Sequence, residues 1–196
     1  MTSGNWYALT VRPQHEFKVA QGLALIGEQP PAGFVPTYKD KRTWSDRTKI
    51  LDVPLFAGYV FARFDHTAAR GHVVRLPGVR SIVGFGGIPA PIREEEIESI
   101  RKLVDSGFPL QPWPFLKTGQ RVRVDQGPLK GVEGLIVGRK DEWLMVVSVE
   151  LLQRSIAVSL DRSVLKPVKQ AAGKAVPCGR SGRAGAPVGK ALSRVA

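Results

Sequence analysis

Val122-Arg123-Val124-Asp125-Gln126-Gly127-Pro128-Leu129-Lys130-Gly131-Val132-Glu133-Gly134 is the stretch that decides how the rest of the chain is read. A Val-x-Val strand runs into a Gly-Pro turn, two glycines follow three apart, and Leu135-Ile136-Val137 resumes the apolar pattern. Glycines so placed permit positive φ and tight corners, which a small barrel needs where its strands turn back. From Gln120 to Val149 short apolar strands alternate with Gly-rich turns and no helical period is visible. Arg154 to Leu165 supplies a last strand. The expectation for residues 118–168 is therefore a small all-β unit.

Upstream the pattern changes. Trp6-Tyr7-Ala8-Leu9-Thr10-Val11 reads as a strand, and Pro-Gln-His-Glu then opens a helix with Phe17, Ala20, Leu23 and Ala24 inward. Gly27 and Pro30-Pro31 stop it. Phe34 to Tyr38 is extended, and the basic stretch Lys39 to Lys49 has a turn signal at Ser45-Asp46, which predicts an exposed hairpin. Leu55 to Phe64 and Val79 to Phe85 are strands, with a short helix over 67–75 between them. The clearest helix starts at Arg93-Glu94-Glu95-Glu96, where acids in the first turn suit the helix dipole and Ile97, Ile100 and Val104 form an apolar stripe. Alternating strands and helices predict an α+β domain over 4–108, with helices packed on an antiparallel sheet. Phe108-Pro109-Leu110-Gln111-Pro112-Trp113-Pro114 has linker composition, so 109–117 is assigned as a linker. Residues 169–196, rich in Ala, Gly, Pro, Lys and Arg, are expected to be a disordered basic tail.

The formal net charge of +12 favours a polyanionic partner. Half of it sits in the tail, where Lys169, Lys174, Arg180, Arg183, Lys190 and Arg194 stand without an acid. The single cysteine, Cys178, leaves no disulfide or cysteine-based metal site within one chain. No basic-then-apolar leader and no run of membrane-spanning length is present, so a cytoplasmic location without membrane contact is expected. His15, His66 and His72 are the only histidines, and no catalytic ordering, metal-ligand spacing or phosphate loop accompanies them. The expectation is a protein without catalytic residues, metal or other cofactor.

In the strand around Tyr59 one face carries Tyr59 and Phe61 and the other Val60 and Phe64. Periodicity leaves two readings open. Either layers cover both faces of the sheet, or one apolar face is a docking surface.

The stretch at 122–134 resembles the KOW motif of Tudor/SH3-like barrels found in ribosomal and transcription proteins. Before it come, in order, Trp6-Tyr7, Pro54-Leu55-Phe56-Ala57-Gly58-Tyr59-Val60-Phe61, Leu76-Pro77-Gly78-Val79, Gly84-Phe85-Gly86-Gly87 and Pro89-Ala90-Pro91-Ile92. That succession resembles the NusG/RfaH family of transcription factors, in which an NGN domain, a linker and a KOW domain follow one another. Lys41-Arg42-Thr43-Trp44-Ser45-Asp46-Arg47 and Leu151-Leu152-Gln153-Arg154-Ser155 look closer to the specialised UpxY-type antiterminators of that family.

The resemblance implies a monomeric elongation and antitermination factor that binds RNA polymerase. Its NGN domain would dock on the β′ clamp helices through Phe56, Tyr59, Phe61 and Phe85. Arg70 and His72 would face the β gate loop. Lys39, Lys41, Arg42, Arg47 and Lys49 would meet the non-template DNA strand, with Trp44 stacking on a base. Leu151, Leu152 and Arg154 would form the KOW partner loop. The family's housekeeping members carry Phe-Gly-Arg there and contact Rho and the ribosomal protein NusE; Leu152-Gln153-Arg154 keeps only the arginine, which counts against Rho. The other readings are a housekeeping NusG-type factor and a stand-alone KOW RNA-binding protein.

Overall fold

A computed structural model describes residues 4–27, 30–43, 48–116, 119–139 and 142–168. The first sheet has the order β2-β5-β1-β6, from Ala32–Phe34, Tyr59–Phe64, Asn5–Val11 and Val79–Ile82. Its ladders are antiparallel, with Ala8 opposite Phe61 and Leu9 opposite Val60. The hairpin of β3 (Thr37–Thr43) and β4 (Thr48–Pro54) forms a sheet of its own, as does that of β7 (Gly84–Phe85) and β8 (Ile88–Pro89).

Three helices cover this first sheet: α1 (Glu16–Leu23), α2 (His66–Arg75) and α3 (Glu94–Asp105). Tyr7, Leu9, Val11, Val60, Ala62 and Phe64 bury one face with Val19 and Leu23 of α1 and Val73 of α2. Trp6, Ala8 and Phe61 bury the other with Ile97, Ile100 and Leu103 of α3. Helices on both faces is thus the observed answer to the doubly apolar strand. Burying aromatics as large as Trp6 and Phe61 contributes on the order of 2–3 kcal/mol each, so both layers matter to stability.

Several boundaries differ from expectation. Helix α1 turns Glu16, Val19 and Leu23 inward, leaving Phe17 44% exposed. The helix is rotated because the Glu16 carboxylate has a partner inside the fold. The strand expected from Leu55 starts at Tyr59; residues before it form a turn in which Tyr59 N–H donates to the Phe56 carbonyl at 3.0 Å. On α3 Leu103 takes the inner position and Val104 is half-buried.

The second sheet has six strands in the order β14-β10-β11-β12-β13-β9, antiparallel throughout. They span Leu165–Pro167, Gln120–Val124, Glu133–Arg139, Glu142–Val149, Arg154–Ser159 and Leu110–Pro114. The Pro-rich segment is therefore a strand, which corrects the linker assignment. Pro112 and Pro114 lack an N–H, and β9 lies at the sheet's end where a strand needs only one bonded side. Residues 106–109 separate α3 from β9. Met145, Val147, Val149, Ile156 and Val158 bury one face of β12 and β13 with Val122, Val124, Leu129 and Val132. Residues 169–196 lie outside the described residues, and so does the expectation of a disordered tail.

Candidate functional site

Of the four residues expected to dock on polymerase, the structure brings together Phe56 and Phe61. Their rings meet edge-to-face at 5.4 Å and 88°, and both are buried at 2% and 0% exposure. They lie in the core beneath α3 with Trp6, so they do not form an outward face. Tyr59 is half-buried against that cluster. Phe85 stands outside it and is 73% exposed.

Phe85 owes its position to the turn that follows it. Gly86 and Gly87 have φ of +57° and +79°, the pair of left-handed residues that a two-residue hairpin favours. Phe85 then faces Ile88 across the ladder, and Ile88 is 72% exposed. Sequence reasoning passes over Ile88. The glycine pair flanked by two large apolar residues is the signal that could have found it.

On α2, Asp65 caps the helix by accepting from Thr67 N–H at 2.8 Å and Thr67 Oγ1 at 2.6 Å. The Thr67 hydroxyl and then its N–H hold the Asp65 carboxyl below its usual range. Arg70 and His72 both lie on this helix and both are exposed. Arg70 Nη2 donates to the Gly87 carbonyl at 3.5 Å, so α2 touches the turn that carries Phe85 and Ile88.

The basic hairpin divides its charges between its faces. Lys39 opposes Asp52 and Lys41 opposes Ile50 on one face; Arg42 opposes Lys49 on the other. Lys39 Nζ lies 2.6 Å from Asp52 Oδ1, an ion pair that lowers its value to an outside anion. Lys41 and Lys49 are exposed, beside an Ile50 that is 63% exposed. Trp44, Arg47 and the Ser45-Asp46 turn lie outside the described residues, and Arg42 enters by its backbone register alone.

In the second sheet, Glu150–Leu152 is a 3-10 turn between β12 and β13, closed by Gln153 at φ +50°. Leu152 is 8% exposed, Leu151 is half-buried and Arg154 is exposed. Glu150 reaches α3, with Oε1 3.6 Å from Arg93 Nη2. Arg93 also holds Glu96 at 2.7 Å, and that hydrogen bond raises the Arg93 pKa.

Two further residues support the first sheet. The Arg101 guanidinium lies 4.8 Å from the Trp6 ring and 5.2 Å from the Phe34 ring, a cation–π contact from α3 onto the sheet. Glu16, 4% exposed, binds the turn before Tyr59. Among the described residues no cluster of His, Cys, Asp or Glu could hold a metal ion, and no helix is long and apolar enough to cross a membrane.

The family described as "Transcription termination factor nusG" matches residues 4–101, half of the chain. The chain belongs to the NusG family. Among curated relatives, the transcription termination/antitermination protein NusG of Campylobacter jejuni is 26% identical over 172 residues, covering 82% of this chain and 95% of its own. That of Escherichia coli K12 is 28% identical over 174 residues, covering 81% and 93%. The solved structure of Thermotoga maritima NusG superposes with a TM-score of 0.51 at 22% identity, over 85% of this chain and 98% of that one. That last likeness supports the fold. The relatives place the chain among transcription factors of the termination/antitermination class.

Proposed function

We propose that this NusG-family chain binds RNA polymerase in the cytoplasm and suppresses pausing on a restricted set of operons. The observation that carries the docking part is the pair Phe85 and Ile88, held outward on a tight glycine turn. Single exposed apolar residues are ordinary, but two opposed at a hairpin tip present a compact patch of the kind a partner helix buries. The β′ clamp helices are the proposed partner. Phe85 and Tyr59 would make the contact, with Phe56 and Phe61 supporting it from the core. Arg70 and His72, on the helix that touches the Gly87 carbonyl, would face the β gate loop.

The hairpin of β3 and β4 would track the non-template strand through Lys41 and Lys49, with Lys39 contributing less because Asp52 holds it. Arg42, Trp44 and Arg47 complete that surface in this reading. Leu151, Leu152 and Arg154 would serve a ribosomal partner such as NusE, and Rho is not expected to bind. No chemical step is needed. A factor that binds closed, elongating polymerase more tightly than the paused form shifts the balance by that difference in affinity.

The experiment is transcription with purified polymerase. Addition of the protein should shorten pauses on its own operon's leader, and Phe85→Ala should remove that effect. Unchanged pausing with bound protein would overturn the antitermination reading. A general NusG-type role is the second reading, favoured by relatives that bear that name along nearly their whole length.

A further inference from the structure

The four residues 106–109 join α3 to β9, and a fully extended connector of that length spans about 14 Å. Here it is folded back on itself. The Ser106 hydroxyl donates to the Leu103 carbonyl at 2.6 Å, Phe108 N–H donates to Ser106 Oγ at 3.3 Å, and Gly107 has a left-handed φ of +72°. So short a connector keeps the second sheet beside α3 even if the contact between them is weak.

That contact is loose. Helix α3 meets β12 beside a cleft of about 870 Å³, with Glu95 and Ser99 in one wall and Leu135 and Val147 in the other. The ion pair that joins the two, Arg93 to Glu150 at 3.6 Å, links side chains that are 65% and 63% exposed. Pairs so exposed add little stability. The position of the second sheet therefore depends on the connector being short, and that depends on β9 staying paired with β13.

Strand β9 is weakly fastened. Successive residues of an antiparallel ladder alternate between exchanging both backbone hydrogen bonds with the residue opposite and exchanging none. Proline has no N–H to exchange, so the bonded positions fall to Gln111 and Trp113, opposite Ala157 and Ser155. Of its side chains Leu110 is buried and Trp113 half-buried, while Gln111, Pro112 and Pro114 are exposed. The other strands, β14-β10-β11-β12-β13, hold one another through ladders that do not involve β9.

We propose that β9 is a detachable strap that sets the reach of the second sheet. Paired with β13, it keeps that sheet against α3. Released, it extends the tether to at least residues 106–116, a span of roughly 40 Å when extended. The second sheet then leaves α3 still folded, because its remaining ladders are intact. Pro112 and Pro114 suit the released state as well, since proline-rich segments are stiff spacers and pair poorly with other strands. The strap acts in the same way whichever polymerase surface the first sheet binds.

Native-state hydrogen exchange on the full chain tests the strap. The Gln111 and Trp113 amides should exchange through an opening that β12 does not share, with protection on the order of a hundredfold below that of Met145 and Val147. A second measurement uses the full-length variant carrying Gln111→Pro and Trp113→Pro, which removes the two bonded N–H groups. Its β10–β14 amides should keep their dispersed spectrum, and relaxation should give the two sheets separate rotational correlation times where the wild type gives one. Equal protection of β9 and β12 would overturn the proposal, since β9 would then open only with the whole sheet. Loss of the β10–β14 spectrum in the variant, or a single correlation time shared by both sheets, would overturn it too.

Discussion

The carboxylate of Glu16 accepts the backbone N–H of Gly58 at 2.8 Å, joining α1 to the turn that feeds β5. The Gly58 carbonyl in turn accepts from Val11 N–H at 2.9 Å, and its φ of +82° is left-handed. Removing the acceptor leaves a partly buried N–H unpaired, which costs about 1–3 kcal/mol. Glu16→Ala should lower the urea midpoint accordingly with an unchanged denaturant slope, and Glu16→Gln, which keeps one oxygen, should recover most of the loss. Equal losses in the two variants would show that the hydrogen bond is not what Glu16 contributes.

Phe61 and Phe85 should fail in opposite ways. Phe61 is fully buried against Phe56 and Phe34, so Phe61→Ala opens a cavity and costs about 3–5 kcal/mol of stability. Phe85→Ala removes an exposed ring and should change stability by roughly 0.5 kcal/mol or less. If Phe85 is an anchor, the same change should weaken binding to a β′ clamp-helix fragment by about 2 kcal/mol or more. Calorimetry on both variants separates the outcomes. Wild-type affinity in Phe85→Ala would remove it from the docking surface.

How much of this is legible in the sequence depends on which interactions are local. The apolar run of β5, the acids opening α3 and the glycine spacing after Val124 are local patterns, and the elements they predict are present. The phase of α1 is not local. A buried carboxylate reads as a surface residue until Gly58, forty-two positions away, supplies its donor. The Pro-rich strand β9 is hidden for a similar reason, because only its pairing with Ile156 and Val158 on β13 shows it as a strand. Phe56 and Phe85 look alike in the sequence and differ in the fold. Which aromatic is covered depends on where α3 lies, and the hydrophobic pattern does not encode that.

Asp65 makes the stability of α2 sensitive to acid. Its folded pKa lies below the ordinary value of 3.8 because it accepts from Thr67, so the folded state favours the ionised form. The contribution is therefore complete above the unfolded pKa and disappears as pH falls through the lower folded value. Asp65→Ala should melt earlier than wild type at neutral pH, and the two curves should converge in strong acid. A constant gap across that range would assign the loss to something other than the charged cap.

The basic hairpin gives a salt prediction. For single-stranded DNA, every phosphate that a side chain no longer neutralises should reduce the slope of log K against log salt by about 0.7. Lys41→Gln and Lys49→Gln should each show such a reduction in binding to non-template single-stranded DNA. Lys39→Gln should show less, since Asp52 already holds Lys39 at 2.6 Å. Equal effects for all three would mean that the Lys39–Asp52 pair opens on binding.

The choice between an operon-specific and a general factor turns on two stretches. Lys41-Arg42-Thr43-Trp44-Ser45-Asp46-Arg47 supplies cations and an aromatic in the sequence that runs from β3 towards β4, a composition that suits reading a displaced strand by stacking and charge. The loop between β12 and β13 carries at Leu152-Gln153 a leucine that is 8% exposed and a glutamine in the left-handed region, where the resemblance to the family would have implied Phe-Gly. On the proposed reading that loop does not serve Rho. Genome-wide occupancy should therefore concentrate on a few operons, and Rho-dependent termination should not change when the protein is added. Charge reversal at Lys41 and Lys49 should spread or abolish that pattern while binding to isolated clamp helices persists, because the hairpin charges lie on a different sheet from Phe85. Occupancy on nearly every transcribed gene, together with stimulated Rho termination, would instead make the chain a general NusG.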